Sequence, residues 1–294
     1  MLILAAATLW GISATVARIA FRDHGVPPLT MVEMRLLVAC ALLFPWLVWR
    51  RPKALRLPRG EWRYFLVLGL LGVAAVQGSY FYSISRLGVG PSILLQYLAP
   101  AMIVGYELAR GRPPEARTMA SVGAAVIGTG LLVLSPRAAT FHPTWLDWTI
   151  GLSSALSFAF YISFSKRGLA RHSSTTVLFY TFLIAALFWA FVTPPWRIVA
   201  AGYSRGIWGL FIFVGVGSTL IPFALFAAGL KRLRPVEAAI LATFEPVVAV
   251  ALAAFVLGEG LRPLQWIGGV LVIGATLLAS VPAAEEVTVT AERV

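Results

Sequence analysis

Residues 88–107 read GVGPSILLQYLAPAMIVGYE, a run long enough to cross a bilayer that nevertheless carries Gln96, Tyr97 and Pro100 at its centre. Proline in a helix interior removes one backbone hydrogen bond, and an amide in hydrocarbon costs a few kcal/mol unless something pairs with it. Lipid offers no such partner. The stretch is therefore expected to face protein or a water-filled cavity.

The pattern returns at residues 233–250, LRPVEAAILATFEPVVAV, where Pro246 answers Pro100 at an offset of 146 residues. The same offset pairs Arg86 with Arg232, Leu95 with Leu241, Gly123 with Gly269 and Gly128 with Gly274. Matching proline-interrupted apolar segments in two halves of a membrane protein point to a transporter's binding site.

Composition sets the class. Of 294 residues, 59% are hydrophobic and 12% charged, about half the charge fraction of a soluble domain. Apolar runs predict ten spans: 2–20, 29–49, 64–85, 89–108, 116–135, 145–165, 175–193, 207–230, 236–257 and 263–281. The net charge of +12 is spread over short breaks between these runs, which reads as orientation and argues against a nucleic-acid partner. Fifteen Lys and Arg residues fall in one alternate set of loops and seven in the other, so the first set, with Arg50, Arg51 and Lys53, is expected in the cytoplasm. Both termini then lie inside, and residues 283–294 read as a disordered cytoplasmic tail. The first residues have no basic flank, which argues against a cleaved signal peptide. The single cysteine, Cys40, reads as packing.

Five spans per half is an odd number, so the second half must enter the membrane upside down relative to the first. The expected fold is an all-α polytopic membrane protein of ten transmembrane helices, two inverted five-helix repeats (1–141 and 142–282) around a central cavity. Small residues at Ala120, Ala124 and Gly128, and at Gly268, Gly269 and Gly274, read as packing faces within the chain or between subunits of a monomer or homodimer.

Polar faces locate the cavity. Gln77, Tyr80, Phe81 and Ile84 share one face of the third span, and Ser92, Gln96 and Pro100 one face of the fourth. Ser153, Ser157, Tyr161 and Ser165 recur every fourth residue in the sixth span, with helix packing and cavity lining equally good readings and Tyr161 the stronger cavity residue. Trp10 is either core filling or a stacking wall. Gly215, Ser218, Pro222 and Phe226 make the eighth span bendable, with Pro222 as a hinge. Glu245 is the one acid near the middle of a span, a proton carrier, a counter-charge for a substrate amine, or a structural partner for freed backbone. Glu33, Glu107 and Glu237 sit near span ends, where they are expected to reach the interface, and Arg35 is expected to snorkel outward or pair with an acid.

Gly202-Tyr203-Ser204-Arg205-Gly206 matches a nucleophile-elbow pattern but lacks the strand-to-helix context, and none of His24, His142 or His172 shares a span or motif with the serine. With no phosphate loop and no metal-ligand spacing, no catalytic residue, metal or cofactor is expected.

The paired Ala99-Pro100 and Glu245-Pro246 helices, the closing Leu257-Gly258-Glu259 and Gln265-Trp266-Ile267-Gly268-Gly269, and Gly274 resemble the drug/metabolite transporter superfamily, EamA type, over nearly the whole chain. Ala109-Arg110-Gly111-Arg112 departs from the family pattern, which often has a Gly-Glu step there. Within the superfamily the aromatic third and fourth spans are most similar to YddG-like exporters of aromatic amino acids. The resemblance implies efflux of small organic solutes across the bacterial cytoplasmic membrane by alternating access, through a cavity built by spans one, three, four, six, eight and nine. The expected wall is Trp10, Tyr80, Tyr97 and Tyr161, with Gln77, Gln96 and Glu245 holding polar groups and Pro100, Pro222 and Pro246 marking hinges or broken backbone. Amino acids are the expected cargo. Another metabolite or drug class is the alternative, and a nucleotide sugar or other organic phosphate would want convergent cations where only Arg35 is available.

Overall fold

A computed structural model describes residues 1–23, 25–133, 143–257 and 261–281, and every regular element among them is helical. Besides short helices at Pro52–Leu55 and Pro195–Ala200, the long segments are α1 (Leu2–Asp23), α2 (Pro28–Arg50), α3 (Arg59–Leu87), α4 (Val89–Ala109), α5 (Ala116–Val133), α6 (Trp145–Arg171), α7 (Ser174–Val192), α8 (Arg205–Leu230), α9 (Pro235–Ala242 with Phe244–Leu257) and α10 (Pro263–Ser280). Eight of them, α2 to α5 and α7 to α10, contain stretches long and apolar enough to cross a membrane. α6 runs 27 residues, but five serines between Ser153 and Ser165 dilute its hydropathy. Outward-facing Trp145, Phe191 and Phe255 are each nearly nine-tenths exposed, which water would penalise and lipid does not. The tail 283–294, the junction at 141/142 and His24 lie outside the described residues.

Local chemistry sets where helices start. Thr144, Ser173 and Ser204 each accept a hydrogen bond from a first-turn amide, satisfying a donor the helix leaves orphaned. Ser204, the serine of the elbow-like pattern, is thus the N-cap of α8. One residue, Gly88, separates α3 from α4, and its φ of 82° lies where only glycine sits without cost. At the same end Asp147, 1% exposed, accepts from Tyr82 Oη (3.0 Å) and Arg86 Nε (3.1 Å), tying α6 to α3. At the other end Lys166 Nζ donates to the carbonyls of Leu230, Lys231 and Leu233, each at 2.9 Å, placing a cation where the dipole of α8 is negative.

Two segments are wound wider than an α-helix, with π-type turns at Leu68–Ala74 in α3 and Val214–Leu220 in α8. They lie 146 residues apart, the offset of the two prolines. A Cβ on Gly69 would fall 2.6 Å from Ile184 of α7, and one on Gly215 would fall 2.5 Å from Val38 of α2. Ile184 and Val38 are separated by the same 146 residues, so each half presents the same glycine to the same partner position of the other.

α5 and α10 cross backbone to backbone. A Cβ on Gly268 would lie 2.6 Å from the Gly128 carbonyl oxygen and 2.8 Å from the Leu132 nitrogen, while Gly274 has nothing within 4 Å. The packing face is therefore Gly128 with Gly268 inside one chain, and Gly274 is not part of it. Gly268→Val is expected to force the helices apart and cost ~1–3 kcal/mol, with Gly274→Val near neutral; thermal unfolding in detergent checks both. Equal melting of the two variants would show that the crossing is not close.

Candidate functional site

The two proline-bearing helices are each interrupted once. α4 turns at Tyr97 and Leu98 between Val89–Gln96 and Ala99–Ala109, and α9 turns at Thr243 between Pro235–Ala242 and Phe244–Leu257. Pro100 and Pro246 fall in the first turn of the second pieces, where the missing N–H has no helical acceptor to lose. The interruption also turns side chains inward: Tyr97 Oη donates to Glu245 Oε2 at 2.5 Å, a bond from the break in one half to the break in the other.

Around this bond lies a small, partly open cavity. It is lined from α1, α2, α3, α4, α6, α8 and α9. Trp10, Tyr80, Phe158 and Phe223 supply aromatic wall, and Gln77, Gln96, Arg35, Ser218 and Glu245 supply polar groups.

Arg35 is the best-held of these. Its Nε donates to Thr219 Oγ1 (2.6 Å), Nη1 to Gln77 Oε1 (3.0 Å), and Nη2 to the Ser218 carbonyl (2.8 Å) and Ser218 Oγ (3.2 Å), joining α2, α3 and α8. The Ser218 carbonyl is available because Pro222, four residues on, has no N–H to bond it; Trp10 Nε1 takes it as well, at 3.1 Å. A guanidinium has five N–H groups. Four are engaged, and the fifth, on Nη1, has no hydrogen-bond partner among the described residues.

The expected site residues fall into place unevenly. Trp10, Gln77, Tyr80, Gln96, Tyr97 and Glu245 all line the cavity. Tyr161 is not among its lining residues. Its ring stacks on Phe158 at 6.4 Å and meets Phe223 edge-on at 5.8 Å, and these two take the wall positions in front of it. Pro222 neither breaks nor interrupts α8; its effect is the freed carbonyl of Ser218. Arg35, expected at the interface or paired with an acid, is 4% exposed and makes no ion pair among the described residues, because polar acceptors on α3 and α8 supply what lipid lacks. Glu33, also expected to reach the interface, is 0% exposed, and neither carboxylate oxygen has a hydrogen-bond partner among the described residues. Closeness to a helix end does not bring a side chain to water when other helices extend past it.

Residues 1–134 and 148–281 match the EamA-like transporter family. The chain belongs to that family. As a transporter it is 30% identical over 214 residues to an uncharacterized transporter of Archaeoglobus fulgidus, covering 71% of this chain and 75% of that one. It is 26% identical to the uncharacterized inner membrane transporter YicL of Salmonella typhimurium, covering 95% and 93%, and 26% identical to the threonine/homoserine exporter RhtA of Escherichia coli, covering 95% and 88%. A crystal structure 20% identical in sequence superposes with a TM-score of 0.76 over 95% of each chain. The transporter is thus a multi-pass membrane protein of the drug/metabolite transporter superfamily, and its family is one of transporters, not enzymes.

The arrangement gives this transporter a chemically mixed site. Gln96 is 8% exposed and its Oε1 has no donor among the described residues, a buried acceptor that costs about 1–3 kcal/mol while it stays unpaired.

Proposed function

We propose that the protein exports aromatic or neutral amino acids and related small solutes from a bacterial cytoplasm by alternating access. The observation that carries this reading is the cavity itself: polar groups, an unsatisfied amide and an aromatic wall meet where the interrupted α4 and α9 face each other. RhtA supports the cargo class, as a threonine/homoserine exporter similar over nearly the whole chain.

In this reading ten spans form two inverted repeats, 1–141 and 142–282, with both termini and the 283–294 tail in the cytoplasm. The shared 146-residue offset of the π-type turns, the helix breaks and the Gly69–Ile184 and Gly215–Val38 contacts supports it. Rocking of one half against the other opens the cavity to each side in turn, with the breaks marked by Pro100 and Pro246 and the widened turn before Pro222 as bending points. Weak aromatic stacking, about 0.5–1.5 kcal/mol per pair, suits a carrier that must release its cargo. The organic-phosphate alternative asks for convergent cations, whereas Arg35 stands with four of its N–H groups engaged.

The test is movement of radiolabelled phenylalanine, tryptophan and threonine in proteoliposomes holding only this protein, with and without an imposed pH gradient. Saturable transport is expected. Transport without the gradient identifies a passive carrier, transport only with it makes Glu245 the first proton carrier to test by substitution, and no movement of any amino acid overturns the cargo assignment.

A further inference from the structure

The cavity is lined by one basic and one acidic side chain from different helices. Arg35 and Glu245 both line it, and no ion pair links them among the described residues. Each is held by its own scaffold. Arg35 is gripped by Gln77, Thr219 and Ser218, and Glu245 receives Tyr97 on Oε2, with no further hydrogen bond to Glu245 Oε1 among the described residues. A guanidinium and an ionised carboxyl group that are each only partly satisfied in a site of low dielectric are costly together, and a ligand that matches both relieves the cost.

We infer that the site reads the zwitterion of an α-amino acid, with Arg35 taking the carboxylate and Glu245, assisted by Gln96, taking the ammonium. This rests on the amino-acid reading above and deepens it by naming the recognising atoms. Gln96 is the independent observation: it lines the same cavity as Glu245, and its buried Oε1 has no donor among the described residues, so a cargo ammonium that reaches it supplies one. The side chain of the cargo is left to the aromatic wall of Trp10, Tyr80, Phe158 and Phe223, surfaces with shape but no fixed charge.

Discrimination follows from the charges. An amine or an amino-acid ester brings a cation to Glu245 but leaves Arg35 unmatched. A hydroxy acid satisfies Arg35 and leaves Glu245 facing an added anion. Each singly charged analogue therefore forfeits one charge pair and meets one repulsion, whereas changes in an apolar side chain alter only wall contact. Charge at both ends of the α-carbon, more than side-chain identity, sets what is carried.

The experiment uses the intact wild-type protein in proteoliposomes and the amino acid that it moves fastest among phenylalanine, tryptophan and threonine. Competitors are that amino acid unlabelled, its methyl ester, its decarboxylated amine and its α-hydroxy acid; for phenylalanine these are the methyl ester, phenethylamine and 3-phenyllactate. The expected result is inhibition at least about tenfold weaker for all three analogues than for the parent, with the other neutral amino acids close to it. Any singly charged analogue competing within about threefold of the parent overturns zwitterion recognition while leaving amino-acid transport standing. Failure of every amino acid to move overturns both. As a second arm, Arg35→Gln is expected to weaken competition by the amino acid and by the hydroxy acid while leaving that by the amine unchanged, shrinking the tenfold gap. An unchanged gap in a variant that still melts cooperatively removes Arg35 from recognition.

Discussion

Replacing Arg35 by methionine is expected to lower the thermal unfolding midpoint in detergent by on the order of 5–10 °C and to cut transport at least about tenfold. Methionine fills the stem of arginine, so the change isolates the guanidinium. Three acceptors lose their donor: Gln77 Oε1, Thr219 Oγ1 and Ser218 Oγ. The Ser218 carbonyl keeps Trp10 Nε1 and is only partly deprived. Orphaned acceptors cost about 1–3 kcal/mol each when sealed and less where cavity water reaches them, which sets the net cost near 3 kcal/mol. The cation–π contact to Phe81, 5.1 Å from the ring centroid, is lost too. Arg35→Lys keeps the charge but not the fork, so it is expected to recover part of the stability and little of the transport. A melting scan beside the transport assay decides this, and an Arg35→Met protein with wild-type melting and wild-type transport would make the four bonds incidental.

The sequence signals that served best were periodic ones. The 146-residue offset of Pro100 and Pro246 marks both helix interruptions, which fall at Tyr97 and Leu98 and at Thr243. What the offset did not convey was the geometry: the prolines open the second helical pieces instead of sitting inside a bent helix, because a first-turn position asks nothing of their missing N–H. The π-type turns were legible in principle. Gly69 and Gly215 stand 146 residues apart in glycine-rich runs, and the close approach they permit to Ile184 and Val38 has no other sequence mark.

Single-residue chemistry was harder to read. Side-chain periodicity placed Gln77, Tyr80, Gln96 and Tyr97 on the cavity, since polar groups in an apolar span have few other places to go. Arg35 was misplaced because the rule applied to it, that long cations near a helix end reach the interface, assumes lipid on the far side. The contrary signal lay 183 residues away: Pro222 frees the carbonyl of Ser218, and a free carbonyl facing a cavity calls for a donor. Tyr161 failed for the opposite reason. Its four-residue stripe named the right face of α6, but Phe158, three residues earlier, is the ring that reaches the cavity.

The second large effect is expected at the bond between the two interrupted helices. Tyr97→Phe removes the donor that Glu245 holds at 2.5 Å, and Glu245→Gln keeps the shape while removing the charge. Glu245 is 6% exposed, so water replaces the bond only from the cavity side; Tyr97→Phe is expected to cost about 1–3 kcal/mol and Glu245→Gln less. The double variant should cost less than the two together, since Tyr97→Phe deletes the bond that Glu245→Gln only weakens to a neutral one. Transport should separate them further. Tyr97→Phe leaves the carboxylate in the cavity for the cargo's ammonium and is expected to retain partial transport, whereas Glu245→Gln removes the anion and is expected to lose most of it, with the double variant no worse. Melting of all four proteins together with proteoliposome transport measures both quantities. Strict additivity would mean that Tyr97 and Glu245 act separately, and that the bond joining the two breaks has no part in holding the cavity together.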